Sequence, residues 1–143
     1  MTLIDANVLL YAYHPRAAQH ERCRTWVEAE FASGSAVGIA WATIVAFLRI
    51  STNPRVFERP LATAEAEAVV SSWLAVPSVS PVDPGERYWE ILCDLLHRAQ
   101  VTGPLVTDAA LAALAIEHGA TLCTTDRDFA RFPRLRTFNP LEA

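Results

Sequence analysis

Short apolar runs that end at a polar corner, each followed by a stretch of helical periodicity, recur from one end of this chain to the other. Leu3-Ile4 leads into Asp5-Ala6-Asn7 and then Val8-Leu9-Leu10-Tyr11: a strand, a corner and a helix start. Residues 17–33 space Trp26 and Phe31 among regular charges, the pattern of an amphipathic helix ending before Gly34. Ala36 to Ala40 reads as a buried strand and Trp41 to Ile50 as a helix, stopped by Asn53-Pro54. Thr63, with Glu65 and Glu67 in its first turn, opens another helix to about Ala75, and Ser78 to Val82 is short and extended. Asp83-Pro84 reads as an N-cap followed by proline at the first helical position, starting a helix to about Arg98. Beyond the break at Thr102-Gly103-Pro104, the run Leu105-Val106-Thr107 delivers Asp108, and the next helix is capped by Gly119. Thr121 to Thr124 and Arg136 to Phe138 are the last two strands. Such alternation predicts an α/β domain, a mostly parallel sheet with helices on both faces. A chain of 143 residues is one domain of ordinary size, residues 1–143, that buries roughly 70% of its unfolded surface.

Parallel sheets bind ligands beyond the carboxyl ends of their strands. Asp5 and Asp126 each follow a strand, and Asp108 opens a helix after a short apolar run, so one edge should collect all three. Each has an ordinary structural use, since Asp108 can cap a helix, Asp126 can make a turn and Asp5 can serve the first corner. Together, however, clustered carboxylates repel and raise one another's pKa values, and a hard divalent cation removes that conflict. Asp128 joins the set only if the chain turns after Asp126, because in an extended segment it would point the other way. Hard oxygen donors without a nucleophile constellation point to phosphoryl chemistry with a metal-activated water.

Composition narrows the alternatives. The opening MTLIDANVLLYA has no basic n-region, and the least polar stretch, residues 32–48, is too short and too polar for a membrane span. Cys23, Cys93 and Cys123 are odd in number and far apart, which argues for reduced thiols, a cytoplasmic setting and no structural zinc. A net charge of −4 gives no general pull toward nucleic acid. The chain contains no lysine, which counts against phosphatases and receiver domains that pair a strand-end aspartate with one.

Three segments, LIDANVLLYA, FLRISTNPRVF and VTDAALAALAIEHGATLCTTDRDFARFP, resemble PIN-domain ribonucleases and, more closely, the VapC toxins of bacterial toxin–antitoxin pairs. The resemblance covers essentially the whole chain. It implies a three-layer α/β/α fold and a Mg²⁺- or Mn²⁺-dependent endoribonuclease acting on structured RNA such as tRNA or rRNA. It further implies silencing by a VapB-type antitoxin, and a homodimer. Carried onto this sequence, Asp5, Asp108 and Asp126 become the catalytic acids, with Asp128 as a further metal ligand. Asn7 and Thr124 support the carboxylates by hydrogen bonds.

One position departs from the family pattern. The glutamate that most PIN domains carry on the helix after the second strand falls at or beside Ala46, and no Asp or Glu lies between Glu30 and Glu58. A single weakly held metal then fits better than a two-metal clamp, and a PIN-like binding module without activity is the alternative. Arg127 and Arg131, within an arginine-rich segment at 127–136, and Arg49 are candidates for holding the RNA backbone, against the alternative of solvated side chains in local ion pairs. The four tryptophans sit at helical spacing and are expected in the core or a dimer interface.

Overall fold

The computed structural model describes residues 1–142; the final residue of the expected 1–143 domain, Ala143, lies outside them. Five strands form one parallel sheet: β1 (Thr2–Ile4), β2 (Val37–Ala40), β3 (Val79–Val82), β4 (Thr121–Cys123) and β5 (Thr137–Phe138). Their order across the sheet is β3-β2-β1-β4-β5. The chain therefore builds outward from β1 in one direction and then returns to β1's other side, which puts the change of direction between β1 and β4. Ile4 pairs with Cys123 at the carboxyl end of both strands, and the Asp5 N–H continues the ladder by donating to the Cys123 carbonyl at 2.9 Å.

Alternation along the strands divides the core into two. Leu3 and Leu122 face one layer, built on α5 (Tyr88–Arg98) and α6 (Leu105–Glu117). Their neighbours Ile4 and Cys123 face the other, built on α1 (Ala6–Ala12), α2 (His20–Ala32), α3 (Trp41–Ser51) and α4 (Thr63–Leu74). The expected three-layer α/β/α architecture is thus the one observed. In the four-helix layer, Trp73 stacks edge-on against Phe47 at 4.7 Å and donates its indole N–H to the Tyr13 hydroxyl at 3.0 Å. A buried ring pair of this kind is worth about 0.5–1.5 kcal/mol beyond its area. Trp26 and Trp73 are core residues, whereas Trp41 and Trp89 are 46% and 69% exposed. No helix of the described residues is long and apolar enough to cross a membrane.

Two expected boundaries differ. The run Leu105-Val106-Thr107 is the first turn of α6, so Asp108 sits one turn inside a helix that follows no strand. Helix α5 begins at Tyr88, not beside Asp83-Pro84. Residues 83–87 are held instead by Glu117, whose carboxylate accepts the N–H groups of Gly85 at 2.7 Å and Arg87 at 2.9 Å. That tertiary carboxylate satisfies the backbone donors a local cap would otherwise take. It also explains Gly85, where a Cβ would come within 2.7 Å of Glu117 Oε2.

Candidate metal centre

The site is assembled where β1 and β4 part. Asp5 ends β1 and caps α1, with one carboxylate oxygen accepting the Ala6 N–H at 2.7 Å. Its other oxygen accepts the Thr124 hydroxyl at 2.8 Å. Thr124 is only 3% exposed, and its oxygen also accepts the Asp126 N–H at 3.0 Å and faces the Asn7 amide nitrogen at 3.5 Å. Asn7 closes the loop by accepting the Thr125 N–H at 3.4 Å. One hydroxyl therefore ties the first acid to the segment that carries the last two.

That segment turns as the metal reading requires. Asp126 caps a 3-10 turn over Arg127–Arg131 and accepts the Asp128 N–H at 2.8 Å. The turn brings Asp128 to the same side as Asp126. Oxygen atoms of Asp108, Asp126 and Asp128 all lie within 4.8 Å of one another, a group that does not include Asp5, whose two oxygens are engaged by Ala6 and Thr124. TTDRDF is thus an Asx-type turn and half of an acidic cluster at once.

Electrostatics reflect the crowding. Burial pushes the Asp5 carboxyl above its ordinary range, against the hydrogen bonds from Thr124 and Ala6, and the charges of Asp108 and Asp126 push the same way. Asp108 is raised by burial and by Asp126 and Asp128, with Arg131 pulling it down. Acids held close together without a cation are the environment that a hard divalent ion relieves, and an all-oxygen donor set suits Mg²⁺ or Mn²⁺. The residues present fit such an ion.

Beside the acids lies a cleft of about 260 Å³. Asp5 and Asp108 reach one part of it, and Trp41, Ala46, Val82, Tyr88 and Leu111 make most of the rest apolar. Ala46 therefore borders the same space as two of the acids, in the place where the family glutamate was expected.

The four arginines of 127–136 diverge. Arg127, 88% exposed, reaches Glu142 at 3.3 Å. Arg131 donates to the Asp128 carbonyl at 2.9 Å and lies 3.7 Å from the Asp128 carboxylate. Arg134 pairs with Asp94, and Arg136 donates to the Gly119 carbonyl. Of the arginines proposed for RNA, only Arg131 borders the acidic cluster through these contacts, while Arg49 stands exposed in the last turn of α3. Glu117, at the end of α6, is taken up by the β3–α5 loop and stays out of the cluster. Sequence reading missed that loop clamp, because its two halves are 30 residues or more apart.

A PIN domain model matches residues 2–135. The chain belongs to the PIN-domain family. Among VapC proteins, it is 39% identical to Ribonuclease VapC37 of Mycobacterium tuberculosis over 140 residues, covering 98% of this chain and 97% of that one. With Ribonuclease VapC33 of the same organism it shares 38% over 141 residues, 99% of each. The crystal structure of DNA-bound VapBC from Salmonella typhimurium shares the fold, with a TM-score of 0.68, 20% identity and 97% of both chains covered. This PIN domain is therefore a VapC-family chain from end to end.

Proposed function

We propose that the protein is the toxin of a toxin–antitoxin pair, an endoribonuclease dependent on Mg²⁺ or Mn²⁺ that cuts structured RNA such as tRNA or rRNA. The observation that carries this reading is the convergence of Asp108, Asp126 and Asp128 beside Asp5 at the sheet's switch point. Relatives named ribonucleases over the full chain support it. A divalent ion on these acids supplies charge neutralisation at the scissile phosphate and an activated water. Asp108, Asp126 and Asp128 would hold the ion, with Asp5 completing the site. Thr124 fixes the Asp5 carboxylate, and Asn7 positions Thr124 and the following turn. A carboxylate not fully committed to the ion takes the proton from the attacking water. Arg131, at the rim of the cluster, holds RNA phosphate, and Arg127 and Arg49 are outlying candidates for the same backbone.

The partner is a VapB-type antitoxin, a reading supported by the likeness to a solved VapBC complex. A segment carrying a basic side chain toward the acids and apolar ones into the adjoining cleft fits this edge. Homodimer formation is supported by Trp41 and Val45, four residues apart on one side of α3 and 46% and 59% exposed. The three free thiols suit a reducing cytoplasm.

The test is cleavage of a total tRNA and rRNA pool by antitoxin-free protein with Mg²⁺, with Mn²⁺ and with EDTA, beside Asp5→Asn. Discrete metal-dependent fragments that vanish in the variant are expected. A second reading, a PIN-like binding module without activity, is favoured only by Ala46. Folded protein that neither cleaves nor titrates Mn²⁺ would establish it in place of the first.

A further inference from the structure

A second groove, of about 420 Å³, includes Arg131, which also borders the acidic cluster. Arg98 at the end of α5 and Arg131 and Arg134 of the β4–β5 connection line it, over a floor that includes Leu95 and the buried ring of Phe132. Three of the chain's twelve arginines thus share one concavity in a protein of net charge −4. Asp94 holds two of them side by side, accepting Arg98 Nε at 2.6 Å and Arg134 Nη1 at 3.2 Å. One carboxylate cannot neutralise two guanidinium groups, and each arginine engages it through a single nitrogen, which leaves N–H donors on both. Arg98 is 75% exposed and Arg134 46%, so those donors face solvent. Arg131 connects this groove to the metal centre, with its guanidinium oriented by the Asp128 carbonyl. An anion seated here would lie next to, but outside, the acidic cluster.

Resting on the nuclease reading above, we propose that Arg98 and Arg134, with Arg131, form a phosphate subsite for the RNA backbone adjoining the scissile bond. Asp94 holds Arg98 and Arg134 side by side and competes with the incoming phosphate for them. The subsite offsets the repulsion that the clustered acids exert on incoming RNA and fixes the direction in which the strand crosses the metal centre. It reads backbone charge and carries no base specificity.

The test measures binding apart from cleavage. A fluorescein-labelled single-stranded oligoribonucleotide of about 12 nucleotides is titrated in EDTA, by anisotropy, at NaCl from about 50 to 200 mM. Arg98→Gln and Arg134→Gln should each weaken binding severalfold and lower the slope of log Kd against log salt by about 0.7, the loss of one single-strand phosphate contact. Arg24→Gln, which removes the same charge from an exposed pair with Glu28 on α2, should leave the slope unchanged. Asp94→Asn should tighten binding about twofold or more by removing the competing anion; a merely structural Asp94 would give no gain. Far-ultraviolet circular dichroism of each variant checks that it is folded. Groove variants that bind like Arg24→Gln, from a preparation that still cleaves RNA with Mn²⁺, overturn the subsite and leave the nuclease standing. Wild-type protein that neither cleaves nor binds overturns both.

Discussion

The Thr124 hydroxyl donates to Asp5 across 2.8 Å while accepting the N–H of Asp126 at 3.0 Å. Residues 119 apart in sequence are thereby locked into one arrangement of two acids. The hydroxyl is buried, so nothing replaces it if it is removed.

Thr124→Val keeps the shape and deletes the hydroxyl. Asp5 loses one of the two donors that oppose its burial, leaving only the Ala6 N–H, and the Asp126 N–H loses its acceptor. Loss of a partner that orients a metal ligand costs about 10–100-fold in metal affinity or activity. Calorimetric titration with Mn²⁺ should show that weakening; an unchanged affinity would mean that Asp5 needs no orienting donor.

Asp108→Asn should stabilise the metal-free protein at neutral pH. Asp108 is raised above its ordinary 3.8, and no hydrogen bond from a described residue opposes the shift. Between 3.8 and the raised value the folded chain binds more protons than the unfolded chain, so stability falls as pH rises through that window. Above the window the penalty is complete, and the amide removes it. The expected gain at pH 7 in EDTA is modest, about 1–3 °C in Tm given the site's partial exposure. Paired thermal melts should show the difference vanish when pH drops below about 3.8. Activity falls in the same variant.

Ala46→Glu places a carboxylate in the cleft bordered by Asp5 and Asp108. One more oxygen ligand should raise Mn²⁺ affinity by about tenfold, at the cost of lower metal-free stability from added like charge. Titration stoichiometry decides whether a second ion enters. No change in affinity would show that a side chain at 46 does not reach the ion.

Glu117→Ala strands the N–H groups of Gly85 and Arg87, whose acceptor it is. Water can reach both exposed groups, so losing the clamp costs about 1 kcal/mol, or roughly 2–4 °C in Tm for a chain of this size. Tyr88 and Pro84 line the cleft at the end of the same loop, so the mutation should also loosen the cleft wall. Hydrogen exchange at residues 83–88 measures both effects, and unaltered protection there would remove the clamp's assigned role.

The parallel α/β layering and the edge on which Asp5 and Asp126 lie were legible in the sequence alone. Alternation of apolar runs with helical periods restricts topology, and parallel strands must all end on one side. Local chemistry also identified the turn at Asp126 and the cap at Gly119, whose φ is +64°. Other features depended on contacts that no local pattern encodes. Whether Asp128 faces the site turned on a 3-10 turn held by Thr124 and Asp126. Asp108 reached the cluster through the packing of α6, not at the end of a strand as its sequence context suggested. The start of α5 was settled by Glu117, at the end of another helix. The arginines were separated in the same way. Arg127 turned to Glu142, while Asp94 drew Arg98 and Arg134 together across 36 residues that share no sequence signal. Periodicity sets which element forms and which edge it ends on, because those depend on near neighbours. The partner of a long charged side chain depends on whatever the finished fold brings within about 3 Å.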